Sequence, residues 1–314
     1  MVFLVSFQQI CIMFILMGIG FFCRKKGMIH EETSKDLTSL LIWIVSPCLI
    51  INSFERKVTP SLIKNFWLVI IAGICIYLFP IIFANIFIKH SKFKDDPDKN
   101  LIAFGTAYNN CGFIGIPLIQ AIMGSQGTFF AVPILAVNNL FMWTHGISAF
   151  QKKQPISDTA RKIFTNPNII ATIIGFILFI TGISTHLFPI LKDSISYVAQ
   201  LNTPLSMIVI GSNLGAIKGD FYKDSKAWLV TFFRNVLMPL GLIFILLLIP
   251  MSKTAYLSCI IMASAPVAGF IVMLSLMANR PVAFPMRVLC LSTVSSLVTV
   301  PAMIMLANII KNLL

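Results

Sequence analysis

The chain has 314 residues, 57% of them hydrophobic and only 11% charged, with a net charge of +13 and a mean hydropathy of +0.90. A soluble domain carries about 25% charged residues, so the composition excludes a soluble globular protein; at about 20 apolar residues per span, it leaves room for roughly ten membrane helices and no separate soluble domain. The basic excess falls in short loops between apolar segments and is not interleaved with exposed aromatics, so no nucleic-acid partner is expected.

The first apolar segment, 2–23, carries no charge and is followed by Arg24, Lys25 and Lys26. A secretory signal has its charges before the apolar region, so this segment reads as a first span with its N-terminus outside. Further uncharged stretches predict spans at 37–54, 66–88, 100–122, 128–150, 167–184, 194–217, 227–249, 254–279 and 288–310. Asn100 to Gln151 holds no charge in 52 residues. That is too long for one crossing at about 1.5 Å per residue, so two spans are expected, turning at Met123-Gly124-Ser125-Gln126-Gly127. Loops 24–36, 89–99, 152–162, 218–226 and 280–287 hold 17 Lys and Arg against 6 on the opposite side. The positive-inside rule then makes this a multi-pass protein of the cytoplasmic membrane with both termini outside.

Split at the loop Gln151–Lys162, the two halves match. Ser46-Pro47 and Thr203-Pro204 lie in the second span of each half, Pro80 and Pro239 in the third, Pro117 and Pro266 in the fourth, Pro133 and Pro301 in the fifth. Five spans per half is an odd number, so the second half is inverted relative to the first, a pattern of secondary transporters. The expected organisation is a first five-helix repeat at 1–150, a cytoplasmic loop at 151–166 and an inverted five-helix repeat at 167–314.

The fourth spans hold the candidate site. Tyr108-Asn109-Asn110-Cys111-Gly112-Phe113-Ile114-Gly115-Ile116-Pro117 cannot make a clean helix, because proline lacks an N–H and clashes with the preceding turn, and glycine weakens helices. Ser264-Ala265-Pro266-Val267-Ala268-Gly269 is the matching break. Broken backbone at membrane depth is tolerated where it lines a cavity or is buried in protein, and a half-helix start suits an anion. Candidate substrate-binding residues are therefore Asn109, Asn110, Gly112, Gly115, Pro117, Asn138, Asn139, Arg234, Ser264 and Pro266. Asn138 and Asn139 either line the same cavity or bond between helices. Arg234 is the one strongly charged residue within a span, and none of the eleven acids lies in a span beside it. Its partner is either a substrate carboxylate or the cytoplasmic surface, reached by snorkelling. His145 is a candidate proton group or a plain interfacial polar residue. Gly211 and Gly215 form a GxxxG pattern that suggests close helix packing. The seven cysteines are scattered without a CxxC pair, so neither disulfide, metal nor cofactor is expected.

Four motifs resemble the auxin efflux carrier family, especially its bacterial malate and malonate permeases: Asn110-Cys-Gly-Phe-Ile-Gly-Ile-Pro117-Leu, Asn166-Pro-Asn-Ile-Ile170, Thr203-Pro-Leu-Ser-Met-Ile-Val-Ile-Gly211 and Ser292-Thr-Val-Ser-Ser-Leu-Val-Thr299-Val-Pro301. The resemblance covers nearly the whole chain. It implies an all-α, bile-acid sodium symporter-like fold with crossing broken helices four and nine. Spans 1, 2, 6 and 7 would form a scaffold and spans 3–5 and 8–10 a moving unit, with elevator-type alternating access and a homodimer through the scaffold. It also implies Asn109 or Asn110, Pro117 and Pro266 as crossover residues. After Pro266 an amide or hydroxyl is expected to face substrate, yet Gly269 and Phe270 stand there, leaving Ser264 nearest.

The chain lacks HExxH, GxSxG and paired intramembrane carboxylates, which argues against an intramembrane enzyme. The expectation is a permease for a small organic anion such as malate or another carboxylate, working in the lipid bilayer. The alternatives are a transporter-like receptor or sensor, or a carrier of a non-carboxylate solute.

Overall fold

Without water to bond to, backbone groups in a bilayer must be satisfied within the chain, and helices do this locally. The computed structural model describes residues 2–148, 150, 156–216, 221–277 and 280–313, and among them every named element is a helix. The elements are α1 (Val2–Lys25), α2 (Glu31–Ser53), α3 (Pro60–Lys89), α4 (Lys99–Ala107), α5 (Cys111–Gly146), α6 (Ile156–Phe164) and α7 (Pro167–Ile180). They continue with α8 (Pro189–Gln200), α9 (Asn202–Gly215), α10 (Ser225–Leu247), α11 (Lys253–Ala263), α12 (Phe270–Met277) and α13 (Ala283–Leu313). Six of them, α1, α2, α3, α5, α10 and α13, are long and apolar enough to cross a membrane, and α7 and α11 are shorter apolar helices. The chain is an integral membrane protein.

Local chemistry sets the helix starts. Thr59 accepts from Leu62 N ahead of Pro60, and Asn166 accepts from Asn168 N and Ile169 N ahead of Pro167. Each pairs a side-chain cap with a proline at the first helical position, where no N–H is needed. Proline also explains three widened π-turns. Leu41–Val45, Cys111–Gly115 and Phe233–Leu237 each end two residues before a proline: Pro47, Pro117 and Pro239. Widening the preceding turn accommodates the pyrrolidine ring where a regular turn would clash. On α3, Ile71, Ile74, Leu78, Ile82 and Ile86 are exposed while Val69, Ala72, Ile76 and Tyr77 are buried. A helix apolar on both faces and bare along one of them suits lipid.

α5 is two arms. Gly124 has φ 60° and ψ −154°, a conformation open to glycine alone, and the chain reverses there. Thr128 Oγ1 donates to Gln120 Oε1 at 2.5 Å, and Leu135 Cδ1 lies 3.6 Å from where a Cβ on Gly112 would stand. In a straight helix these pairs would be about 12 and 35 Å apart.

α1 packs along α9. A Cβ on Gly20 would lie 2.0 Å from Ile208 O, and one on Gly211 would lie 1.9 Å from Met17 O, so the two backbones touch. A Cβ on Gly215 would meet Arg24 and Phe21, which gives the GxxxG pattern its packing role. The C-terminal part of α2 packs on α7 and α8, while α3, α4, α5, α10, α11 and α13 surround the two helix breaks. Three of the loops counted as basic meet at one end. There Lys226 pairs with Asp96 at 3.2 Å and Asp98 at 3.0 Å, and Arg280 Nη1 donates to Pro97 O at 2.8 Å.

Several boundaries differ from the sequence reading: α3, α8 and α13 begin five or six residues before their expected spans, at Pro60, Pro189 and Ala283. α2 begins at Glu31, six residues before the apolar run, because its polar first turns project beyond the apolar segment. The loop expected at 151–166 carries α6, where Ile156, Ala160 and Ile163 recur at helical spacing. Gln151, Lys152, Lys153 and Lys218, which entered the loop and charge reading, lie outside the described residues.

Gly211→Leu is expected to lower the melting temperature in detergent by about 5 °C, from an overpacking cost of about 1–3 kcal/mol. Gly18→Leu, on the exposed face of α1 with nothing within 4 Å of its Cβ position, should leave it unchanged in the same differential scanning fluorimetry series.

Candidate functional site

α4 stops at Ala107 and α5 starts at Cys111, while α11 stops at Ala263 and α12 starts at Phe270. The two interruptions lie against each other. Asn110 N donates to Pro266 O at 2.7 Å and Ala268 N donates to Tyr108 O at 3.1 Å, an antiparallel bridge between Asn109 and Val267. Each break thus supplies partners for the backbone groups that the other leaves without a helix.

The carbonyl side of this crossing is closed. The last carbonyls of a helix have no intrahelical partner. Arg234, fully buried on the π-turn of α10, donates through Nη1 to Thr106 O at 3.2 Å and Ala107 O at 3.1 Å, and through Nη2 to Ala263 O. Asn109 Nδ2 donates to Met262 O at 2.6 Å, and its Oδ1 accepts from Tyr77 Oη at 2.9 Å. Ser292 Oγ, on α13, accepts from Val267 N at 3.2 Å, and Ser292 O accepts from Asn235 Nδ2 at 2.7 Å.

The other side is accessible. Asn110 Oδ1 caps α5 by accepting from Phe113 N at 3.2 Å. Gly112 and Phe113 are partly exposed, and Gly269 is exposed with nothing within 4 Å of its Cβ position. The second arm of α5 spans the gap between the two helix starts. Leu135 meets Gly112, and the Trp143 ring meets Phe270 edge-on with centroids 5.9 Å apart. Asn139 is four residues from each, on the same helix face. Asn138 and Asn139 are buried, and Asn138 Oδ1 and Asn139 Nδ2 have no hydrogen-bond partner.

The candidate residues therefore separate. Asn109, Asn110, Pro266 and Arg234 meet at the crossing, and Gly115 lies where a Cβ would come within 2.9 Å of Met262 Sδ, so its smallness lets α5 approach α11. Pro117 is buried behind the π-turn. Arg234 is on the carbonyl side with partners inside the protein, and its full burial leaves no route to the surface. Ser264 Oγ donates to Ile260 O at 2.7 Å, within its own helix, and is not aimed at the crossing.

Sequence reading did not single out Tyr77, Asn235 or Ser292 for the crossing. Ser292 stood in a recognised motif, and Asn235 directly follows Arg234; Tyr77 lies in an ordinary apolar run and carried no signal. Tyr108 was quoted only as part of the break. Its hydroxyl donates to Phe141 O at 3.0 Å and lies 2.9 Å from His145 Nδ1, which places His145 beside the break.

Residues 5–304 match the membrane transport protein family. An uncharacterized transporter of Methanocaldococcus jannaschii is 28% identical over 221 residues, covering 67% of this chain and 70% of its own. An uncharacterized transporter of Methanothermobacter thermautotrophicus is 23% identical over 304 residues, covering 96% of this chain and 98% of its own.

Ser292→Ala would leave the Val267 N–H buried without an acceptor, and is expected to destabilise by about 1–3 kcal/mol. Ser264→Ala removes only a back-bond within one helix and should change stability by less than about 0.5 kcal/mol. Thermal unfolding of the two variants side by side tests the difference.

Proposed function

The chain belongs to the membrane transport protein family, that of the auxin efflux carriers, and from that premise we propose that it is a secondary carrier of a small organic anion. The observation that carries the reading is the pair of helix starts, at Cys111 and Phe270, and the buried, unpartnered Nδ2 of Asn139, four residues from both Leu135, which meets Gly112, and Trp143, which meets Phe270. A helix N-terminus holds about half a positive charge and unpaired N–H donors. Two of them beside a free amide donor suit a carboxylate. Malate or another mono- or dicarboxylate fits this chemistry.

The ten-span reading follows if α4 with the first arm of α5, and α11 with α12, each count as one broken span, and α8 with α9 as another. The pairing of α1 with α9 and of α2 with α7 supports an inverted repeat: first packs on seventh and second on sixth, as an exchange of halves requires. Alternating access would move α3, α4, α5 and α10–α13 against α1, α2 and α7–α9. A small crevice of about 20 Å³ lies between these groups, lined by residues that include Met13, Met17, Ile114, Leu118, Met207 and Val300. Flexible methionines on an apolar seam adapt as surfaces slide. On this reading Asn109, Arg234 and Ser292 hold the crossing in shape, while Asn110, Gly112, Asn138, Asn139 and Gly269 face the solute.

Uptake of radiolabelled mono- and dicarboxylates into proteoliposomes tests the proposal. Asn139→Leu is expected to raise KM about tenfold or more, the loss of a hydrogen bond to a charged group, with melting temperature preserved. Unchanged kinetics in both Asn139→Leu and Asn110→Ala would reject the site. Specific binding without any flux would favour a sensor.

A further inference from the structure

Two helix C-termini, those of α4 and α11, converge on the buried side of the crossing, and each carries about half a negative charge. Together they present about one unit of negative charge from carbonyl oxygens. In carriers with broken helices such oxygens are where a coupling cation sits. Here the place is taken by the protein itself. The guanidinium of Arg234 bonds Thr106 O and Ala107 O from one helix end and Ala263 O from the other, with none of its surface exposed.

We infer that Arg234 is a built-in cation: its guanidinium fills the site that a monovalent metal ion would otherwise occupy at the two helix ends, so the transport cycle requires neither sodium nor potassium. The charge balance supports this, since one guanidinium offsets two half-charges. No carboxylate contributes to the cluster among the described residues; the contacts of Arg234 are to backbone carbonyls. A metal ion binds and leaves in each cycle, whereas a tethered guanidinium stays, so the crossing keeps one shape whether or not solute is bound. The place also excludes a second cation, because three of its carbonyls already accept from Arg234. This rests on the carrier reading for its flux arm alone; its binding arm stands without it.

The experiment has both arms. Wild-type protein is melted in sodium, potassium and choline chloride at equal ionic strength, then with guanidinium chloride added at about 10 mM, too dilute to denature. All wild-type melting temperatures should agree. Arg234→Ala and the longer, amide-bearing Arg234→Gln vacate the site and should melt lower. In whichever variant folds, guanidinium should restore about 3 °C or more, and sodium should stabilise relative to choline, as a ligand that binds only the folded state does. In the flux arm, wild-type uptake should be equal with choline replacing sodium and potassium on both sides. Arg234→Lys, which keeps a charge but not the fork, should retain part of it. Sodium- or potassium-dependent uptake by the wild type would overturn the inference, and that arm needs no variant to fold. Variants indifferent to guanidinium and sodium alike would overturn it too. Absence of uptake for every carboxylate, with the cation-dependent melting as expected, would reject the carrier reading and leave the built-in cation standing.

Discussion

A helix interrupted inside a membrane exposes carbonyls at one end of the gap and N–H groups at the other, with no water to receive either. Leaving such a group unpaired in an apolar medium costs several kcal/mol. Here the two gaps answer each other through the bridge between Asn109 and Val267, and the remaining carbonyls are taken by Arg234 and Asn109. Around them, Tyr77 holds Asn109, Ser292 holds Val267, and Asn235 holds Ser292. Three helices beyond the broken ones, α3, α10 and α13, take their places from this requirement.

The accounting is lopsided. On the carbonyl side the helix-end carbonyls of α4 and α11 described above meet side-chain donors, although Arg234 Nε and Asn235 Oδ1 lack partners of their own. On the N–H side the chain places Gly112 and Gly269, residues that cover nothing, and amides whose Asn138 Oδ1 and Asn139 Nδ2 lack partners. A fold selected for stability alone has reason to close both sides.

What could be read from sequence was local. Charge-free runs, Gly and Pro clusters and the 52-residue uncharged stretch located the breaks and the reversal at Gly124, because those features act through their own few residues. The long-range partners were illegible. Arg234 reaches Thr106 across 128 positions and Ser292 reaches Val267 across 25. A backbone carbonyl has no side-chain signature, so nothing in the sequence could announce the acceptors of Arg234. Ser264 misled for the converse reason: a serine one residue from a break is close in sequence, but its hydroxyl is satisfied by the preceding turn. α6 escaped because a short amphipathic helix among charges resembles a loop in composition.

The contacts also differ in how readily they can change. Gly20 and Gly211 bring α1 and α9 to backbone contact, and a Cβ on Gly175 of α7 would lie 2.3 Å from the Phe54 ring, so these helices cannot slide without separating. Between them and the crossing, methionines 13, 17 and 207 face Ile114, Leu118 and Val300 across an incompletely filled seam. Dispersion contacts of this kind are individually weak and can be exchanged one for another. The crossing itself has no such freedom. Arg234 ties α10 to the ends of both α4 and α11, and displacing any one of the three would strand a buried cation or its carbonyls. The crossing is thus the part of the structure least free to rearrange, and the methionine seam the part most free to.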